Sequence, residues 1–320
     1  MKSWCVALAI GVLLPLRLAA AATGAQPPRF EVPAGARGAP LTFVIYGDTR
    51  FTKRDEVANA VARRALVAKI ASEHPAAILI GGDLVFTGTN ADDYATYQAE
   101  TQVWSDAHIP VFPTLGNHEF RGCPEEVDRC LDNWWQGAAP PGLRPFRWYS
   151  VSLGPSILAL MLDSDSPLRR GSDQRAWFER QIQGAGPQVE FILVVLHYPP
   201  VRDLFYPSVR DEREVARYLA KNAALLRPKF VVIGSHVHNY ERYHRNGVVY
   251  VVSGGGGAKP VPAIRWFGEL SKLRTGVNFH YLRFVLQHDT LSATMVRFDA
   301  EDDRASAWTQ PDQFEVRAGR

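Results

Sequence analysis

Five short apolar runs in this 320-residue chain are each followed by polar side chains, most of them across a glycine or another small residue. LTFVIYG leads to Asp48, AAILIGG to Asp83, and VFPTLG to Asn117 and His118. FILVVL leads to His197, and FVVIGS to His236 and His238. Uninterrupted apolar runs of this length are the pattern of strands covered on both faces. Such strands are expected over 41–46, 76–80, 111–115, 156–162, 189–196 and 229–233. Helical stretches fall between them. Residues 55–73 place Val57, Val61, Leu66 and Ile70 near helical spacing before Pro75 closes the segment, and 92–107, 172–183 and 211–226 are further candidates. Alternation of this kind predicts an α/β fold. After residue 247 the chain turns to strand, with GVVYVVSG and then a hairpin of YLRFVLQ and LSATMVRF around His288, Asp289 and Thr290. That ending predicts a mixed sheet, or a second sheet packed on the first. In open α/β sheets functional side chains gather where the strands' carboxyl ends meet the loops, so the polar residues above are expected at one edge.

The first 22 residues read as a signal peptide: Lys2, an apolar Trp4 to Leu14, and Ala20-Ala21-Ala22 as a cleavage site. A retained anchor is the alternative, but the apolar run is shorter than the ~20 residues of a spanning helix. The chain is therefore expected in the periplasm or outside the cell, with no stable membrane anchor after signal removal. Residues 23–40 form a Pro-, Gly- and Ala-rich extended lead-in, and 41–320 are read as one domain because the candidate residues run from Asp48 to His238. Residues 120–150 read as an insertion loop beside the site. Without Lys2 and Arg17 the balance is 34 basic against 33 acidic residues. No basic run stands out, which argues against nucleic acid and anionic membranes as partners. Cys5 leaves with the signal. Cys123 and Cys130 are then an even pair in an oxidising compartment, read as a disulfide; two unlinked thiols or a metal pair are the alternatives.

Carboxylates, one amide oxygen and several imidazoles suit a pair of divalent transition metals (Mn, Fe or Zn) better than calcium. Two such ions need a bridging carboxylate, and Asp83 is the natural one. The pair would supply a hydroxide nucleophile and hold phosphoryl oxygens for in-line attack. An imidazole outside the shell, His118, would protonate the leaving group. Other chemistries have no motif: there is no GxSxG elbow, no HExxH, and SGGGGAKP (253–260) lacks the ending of a phosphate-binding P-loop.

GDTR (47–50), GGDLV (81–85), GNHE (116–119), LHYPP (196–200) and GSHVHNYER (234–242) together resemble the calcineurin-like metallophosphoesterase superfamily, and most nearly its purple acid phosphatase-like branch. The resemblance implies a two-sheet β-sandwich flanked by helices in αββα layers. It implies one metal held by Asp48, Asp83 and His238, and a second by Asp83, Asn117, His197 and His236, with His118 assisting the leaving group or orienting phosphate. The implied activity is hydrolysis of mono- or diesters of a small phosphorylated substrate. Two positions depart from the pattern. Most of the superfamily has His where this chain has Arg50. Purple acid phosphatases have Gly there and a metal-binding Tyr where this chain has Phe86, so no purple colour is expected. Arginine does not ligate metals; Arg50 could instead contact a phosphate or pair structurally with a nearby acid. A non-catalytic or weakly active phosphate-binding relative is thus the alternative function.

Overall fold

A strand that is apolar along its whole length needs cover on both faces, and this chain provides it with two sheets and flanking helices. The structure, a computed structural model, describes residues 25–36, 38–124, 128–202, 210–261, 279–299 and 308–319. The expected signal, 1–22, lies outside them. In chain order the elements are β1 (Arg29–Val32), β2 (Leu41–Tyr46), α1 (Ala60–Ser72), β3 (Ile78–Ile80), α2 (Ala91–Glu100), α3 (Gln102–Asp106) and β4 (Val111–Pro113). They continue with α4 (Asp132–Gly137), β5 (Tyr149–Leu153), β6 (Ile157–Met161), α5 (Asp173–Gln183), β7 (Phe191–Leu196) and α6 (Arg210–Asn222). The chain then runs through β8 (Lys229–Gly234), β9 (Tyr240–Arg245), β10 (Val248–Ser253), β11 (Phe279–Gln287), β12 (Thr290–Phe298) and β13 (Trp308–Arg317).

One sheet has the order β1-β5-β6-β7-β8-β10-β9, the other β13-β12-β11-β2-β3-β4. The period of two along the strands sorts side chains into two cores. From β6, β7 and β8, Ile157, Ala159, Met161, Phe191, Leu193, Val195, Val231 and Ile233 point between the sheets and meet Phe43, Ile45, Leu282 and Phe284. Their neighbours Leu158, Leu160, Ile192, Val194, Phe230 and Val232 point outward against Trp177, Phe178 and Ile182 of α5 and Val215 and Leu219 of α6. Helix α1 covers the second sheet at β11 and β12. The layers are those expected, and the mixed-sheet ending is present: β11 and β12 pair from Phe279↔Phe298 to Gln287↔Thr290 around a His288-Asp289 turn. Among the described residues no helix is long and apolar enough to cross a membrane.

Several boundaries differ from expectation for local reasons. The 55–73 helix starts only at Ala60, where Asn59 caps it by accepting from the Ala62 N–H; Ala58 instead bridges to Ala258. The 92–107 stretch is two helices, broken at Thr101, whose hydroxyl donates back to the Tyr97 carbonyl. The 211–226 helix ends at Asn222 and gives way to a short 3-10 turn. The 120–150 insertion contains α4, and Trp134 there is fully buried against Trp135, so these tryptophans pack the insertion. Cys123 and Cys130 are joined in a disulfide.

Candidate metal centre

Parallel strands end side by side, and here two groups of strand ends face each other across the sandwich. Neighbours β2, β3 and β4 deliver Asp48, Asp83, Asn117 and His118 from one sheet. Neighbours β7 and β8 deliver His197, His236 and His238 from the other. The turns are tight. Asp48, Asp83 and His236 adopt left-handed backbone (φ 55, 52 and 66), costly for residues with a Cβ and held here by the surrounding hydrogen bonds. Asp48 N–H donates to the Gly82 carbonyl at 3.1 Å, and the Ala258 N–H donates to the Asp48 carbonyl at 2.9 Å. Glycine is required where the loops close on the ligands. A Cβ on Gly82, itself at φ +85, would lie 2.8 Å from His197 Nδ1, and one on Gly254 would lie 2.6 Å from Asp48 Oδ2. The glycine-rich 253–260 segment is thus the floor beneath Asp48.

The imidazoles are oriented from behind, as ligating histidines are. His197 Nδ1 donates to the Gly81 carbonyl at 2.9 Å, which leaves Nε2 facing Asp83 Oδ1 at 3.2 Å and Asn117 Oδ1 at 3.1 Å. His238 Nδ1 donates to the Lys259 carbonyl at 2.8 Å, leaving Nε2 3.5 Å from Asp48 Oδ1. His236 Nδ1 lies 3.2 Å from His197 Nε2. His118 Nδ1 donates to the Phe86 carbonyl at 2.6 Å, and its Nε2 stands 3.7 Å from Asp83 Oδ2.

Electrostatics at this cluster call for a cation. Asp48 is fully buried, and neither of its carboxylate oxygens has a hydrogen-bond partner among the described residues. A buried carboxylate without a hydrogen bond is expensive unless a positive charge meets it. Burial raises the Asp83 pKa, but His197, His118 and Arg50 overcome it and hold the carboxyl well below its ordinary value. Burial lowers the His197 pKa, yet Asp83 and Asp48 draw it above the usual imidazole value, because their negative charge favours a cation at this point. Burial, then His197, push His236 down to about 4. Asp48, Asp83 and His197 each offer a donor atom within 4.8 Å of the others. These residues fit a divalent transition metal: buried oxygens and imidazole nitrogens, with ring tautomers already set.

Arg50 pairs with an acid: it points at Asp83, with Nη2 3.3 Å from Oδ2. Two other features were not anticipated. Glu119, quoted in GNHE without a role, is fully buried and accepts from Asp83 N–H at 3.0 Å, Leu84 N–H at 2.9 Å and Gly116 N–H at 2.7 Å. Burial and then the Asp83 charge raise its carboxyl pKa, while the backbone N–H groups it accepts from oppose that rise. Ser164 Oγ accepts from both His197 and Tyr198 N–H groups at 3.0 Å, a role no sequence signal marks. Tyr240 and Arg242, at the end of the GSHVHNYER run, both bond Asp312 of β13.

A family model for calcineurin-like phosphoesterases matches residues 41–254. No curated protein matches the chain in sequence. Among solved structures, a purple acid phosphatase from seeds of yellow lupin (Lupinus luteus) superposes with a TM-score of 0.70 at 17% identity, covering 89% of this chain and 55% of that one. This chain thus spans little more than half of the lupin enzyme's length. A Plasmodium protein described as the anchor in the inner membrane complex superposes at 0.60 and 16% identity, covering 88% of this chain and 90% of its own. A dimetal phosphatase from Danio rerio does so at 0.56 and 13% identity, over 87% of this chain and 99% of its own. At these identities the likeness is one of fold.

Proposed function

The chain belongs to the calcineurin-like phosphoesterase family, and from that premise we propose that it is an exported, divalent-metal-dependent hydrolase of a small phosphate mono- or diester. One observation carries the reading: the buried Asp48 carboxylate, without a hydrogen-bond partner among the described residues, faces Asp83 and a set of imidazoles whose far nitrogens are fixed by carbonyls. Asp83, Asn117, His197 and His236 would hold one ion, and Asp48, Asp83 and His238 another. When bound, divalent ions lower the pKa of a coordinated water and offset the charge of a phosphoryl group. His118 keeps Nδ1 on the Phe86 carbonyl and turns Nε2 toward Asp83 and the centre. With Nδ1 so held, Nε2 is the atom that would pass a proton to a leaving alkoxide.

The test is release of nitrophenolate from nitrophenyl phosphate and from its bis-nitrophenyl diester, with Mn or Zn supplied. Asp83→Asn and His197→Ala should each lose at least about a hundredfold in rate; unchanged rates would sink the assignment. His118→Ala should lose more on an alkyl phosphate than on the nitrophenyl ester, whose leaving group needs no proton. A second reading, a phosphate-binding relative without turnover, is favoured by the guanidinium on Asp83. Tight phosphate binding with no ester hydrolysis at saturating metal would select it.

A further inference from the structure

Arg50 is placed more firmly than a surface arginine. Its backbone is left-handed (φ 45), its N–H donates to the Asp83 carbonyl at 3.0 Å, and its carbonyl accepts from Arg63 Nη1 at 3.2 Å. Arg63 is itself buried and clamped to Glu100 by bonds of 2.8 and 2.7 Å. From this base the side chain, 15% exposed, brings Nη2 to 3.3 Å from Asp83 Oδ2. The two oxygens of Asp83 are therefore divided. Oδ1 accepts the His118 N–H at 2.9 Å and faces His197 Nε2, while Oδ2 faces the guanidinium.

A guanidinium stays charged and does not coordinate metals. The donor set has two carboxylates, Asp48 and Asp83, and Arg50 cancels the charge of one, so a single net negative charge remains to receive cations. That suits one divalent ion; a second would enter a buried site already positive, beside a fixed positive neighbour. A trio of donors within 4.8 Å of one another, Asp48, Asp83 and His197, also draws on both halves of the expected pair. Resting on the metal-dependent reading above, we propose that the Arg50 guanidinium stands in for one of the two cations. The chain then holds one divalent ion tightly, at Asp48, Asp83 and His197, and a second at least about tenfold more weakly.

The experiment is calorimetric titration of the metal-stripped full-length protein with Mn or Zn ions, with elemental analysis of protein purified without chelator. Wild type should take one tight equivalent. Arg50→Gln removes the charge and Arg50→His adds an imidazole; each should tighten a second equivalent about tenfold or more. Arg50→Lys keeps the charge and should stay at one. Melting curves establish that each variant is folded, and either Arg50→Gln or Arg50→His alone suffices for the comparison. Two equal equivalents in wild type, no second equivalent in the folded neutral variants, or a second equivalent in Arg50→Lys would each overturn the inference. Two equal ions with ester hydrolysis would leave the phosphoesterase reading standing, whereas no metal uptake by any form would remove both.

Discussion

Both carboxylate oxygens of Glu119 are occupied by backbone N–H groups from two separate loops, those of Asp83, Leu84 and Gly116. The residue fixes the distance between the Asp83 turn and the Asn117–His118 turn without touching any candidate donor atom. Glu119→Gln would turn an amide NH2 against those donors and leave buried N–H groups unpaired. It should cost about 1–3 kcal/mol, read as a lower Tm, and should weaken metal uptake without changing the ligands. At this scale the sequence was legible where a residue ends a strand: Asp48, Asp83, Asn117, His197, His236 and His238 converge because strand ends converge. Side-chain direction was not legible. Spacing placed Arg50 near the site and left open a phosphate contact or a nearby acid; which acid it meets depends on Arg63 and Glu100 from elsewhere in the chain.

Among elements, an apolar-run criterion finds strands buried on both faces and passes over the others. β1, β9 and β13 are sheet edges. β9 (YERYHR) and β13 (WTQPDQFEVR) carry mixed polar residues, and β5 (YSVSL) alternates with serines, so none presents a continuous apolar run. What β9 and β13 share is a polar clamp. Tyr240 OH donates to Asp312 Oδ2 at 2.6 Å, and Arg242 donates to Oδ2 at 2.7 Å and Oδ1 at 3.0 Å, joining the edges of the two sheets. Burial raises the Asp312 pKa, but the bonds from Arg242 and Tyr240 outweigh it and hold the group below its ordinary value of 3.8. A depressed carboxyl pKa contributes stability above the unfolded value and loses it as pH falls through the folded one. Acidification below about pH 4 should therefore weaken this clamp. Amide exchange in β13 should rise there in wild type, and Asp312→Asn should show that faster exchange already at neutral pH.

Across the whole molecule the candidate ligands come from both sheets: Asp48, Asp83 and Asn117 from one, His197, His236 and His238 from the other. A cation between them fastens the sandwich as well as serving chemistry. Ligand linkage sets the gain: about 4 kcal/mol when the ion is present at a thousand times its dissociation constant. Metal added to chelator-treated protein should raise Tm by several degrees, and His197→Ala should abolish most of that rise. No rise in wild type would detach the cluster from metal binding.

β11 lies between β2 and β12 near the middle of its sheet, although it enters the chain only after residue 278. The family match ends at residue 254. The stretch the family model recognises therefore stops short of a strand that its own sheet requires. A piece cut at 41 and 254 would carry every candidate ligand, yet it would bare one flank of β2 and uncover the apolar interior beneath it, inviting other chains to add a strand there. The centre is portable only with its distant hairpin, so grafting it into another host means moving architecture as well as motifs.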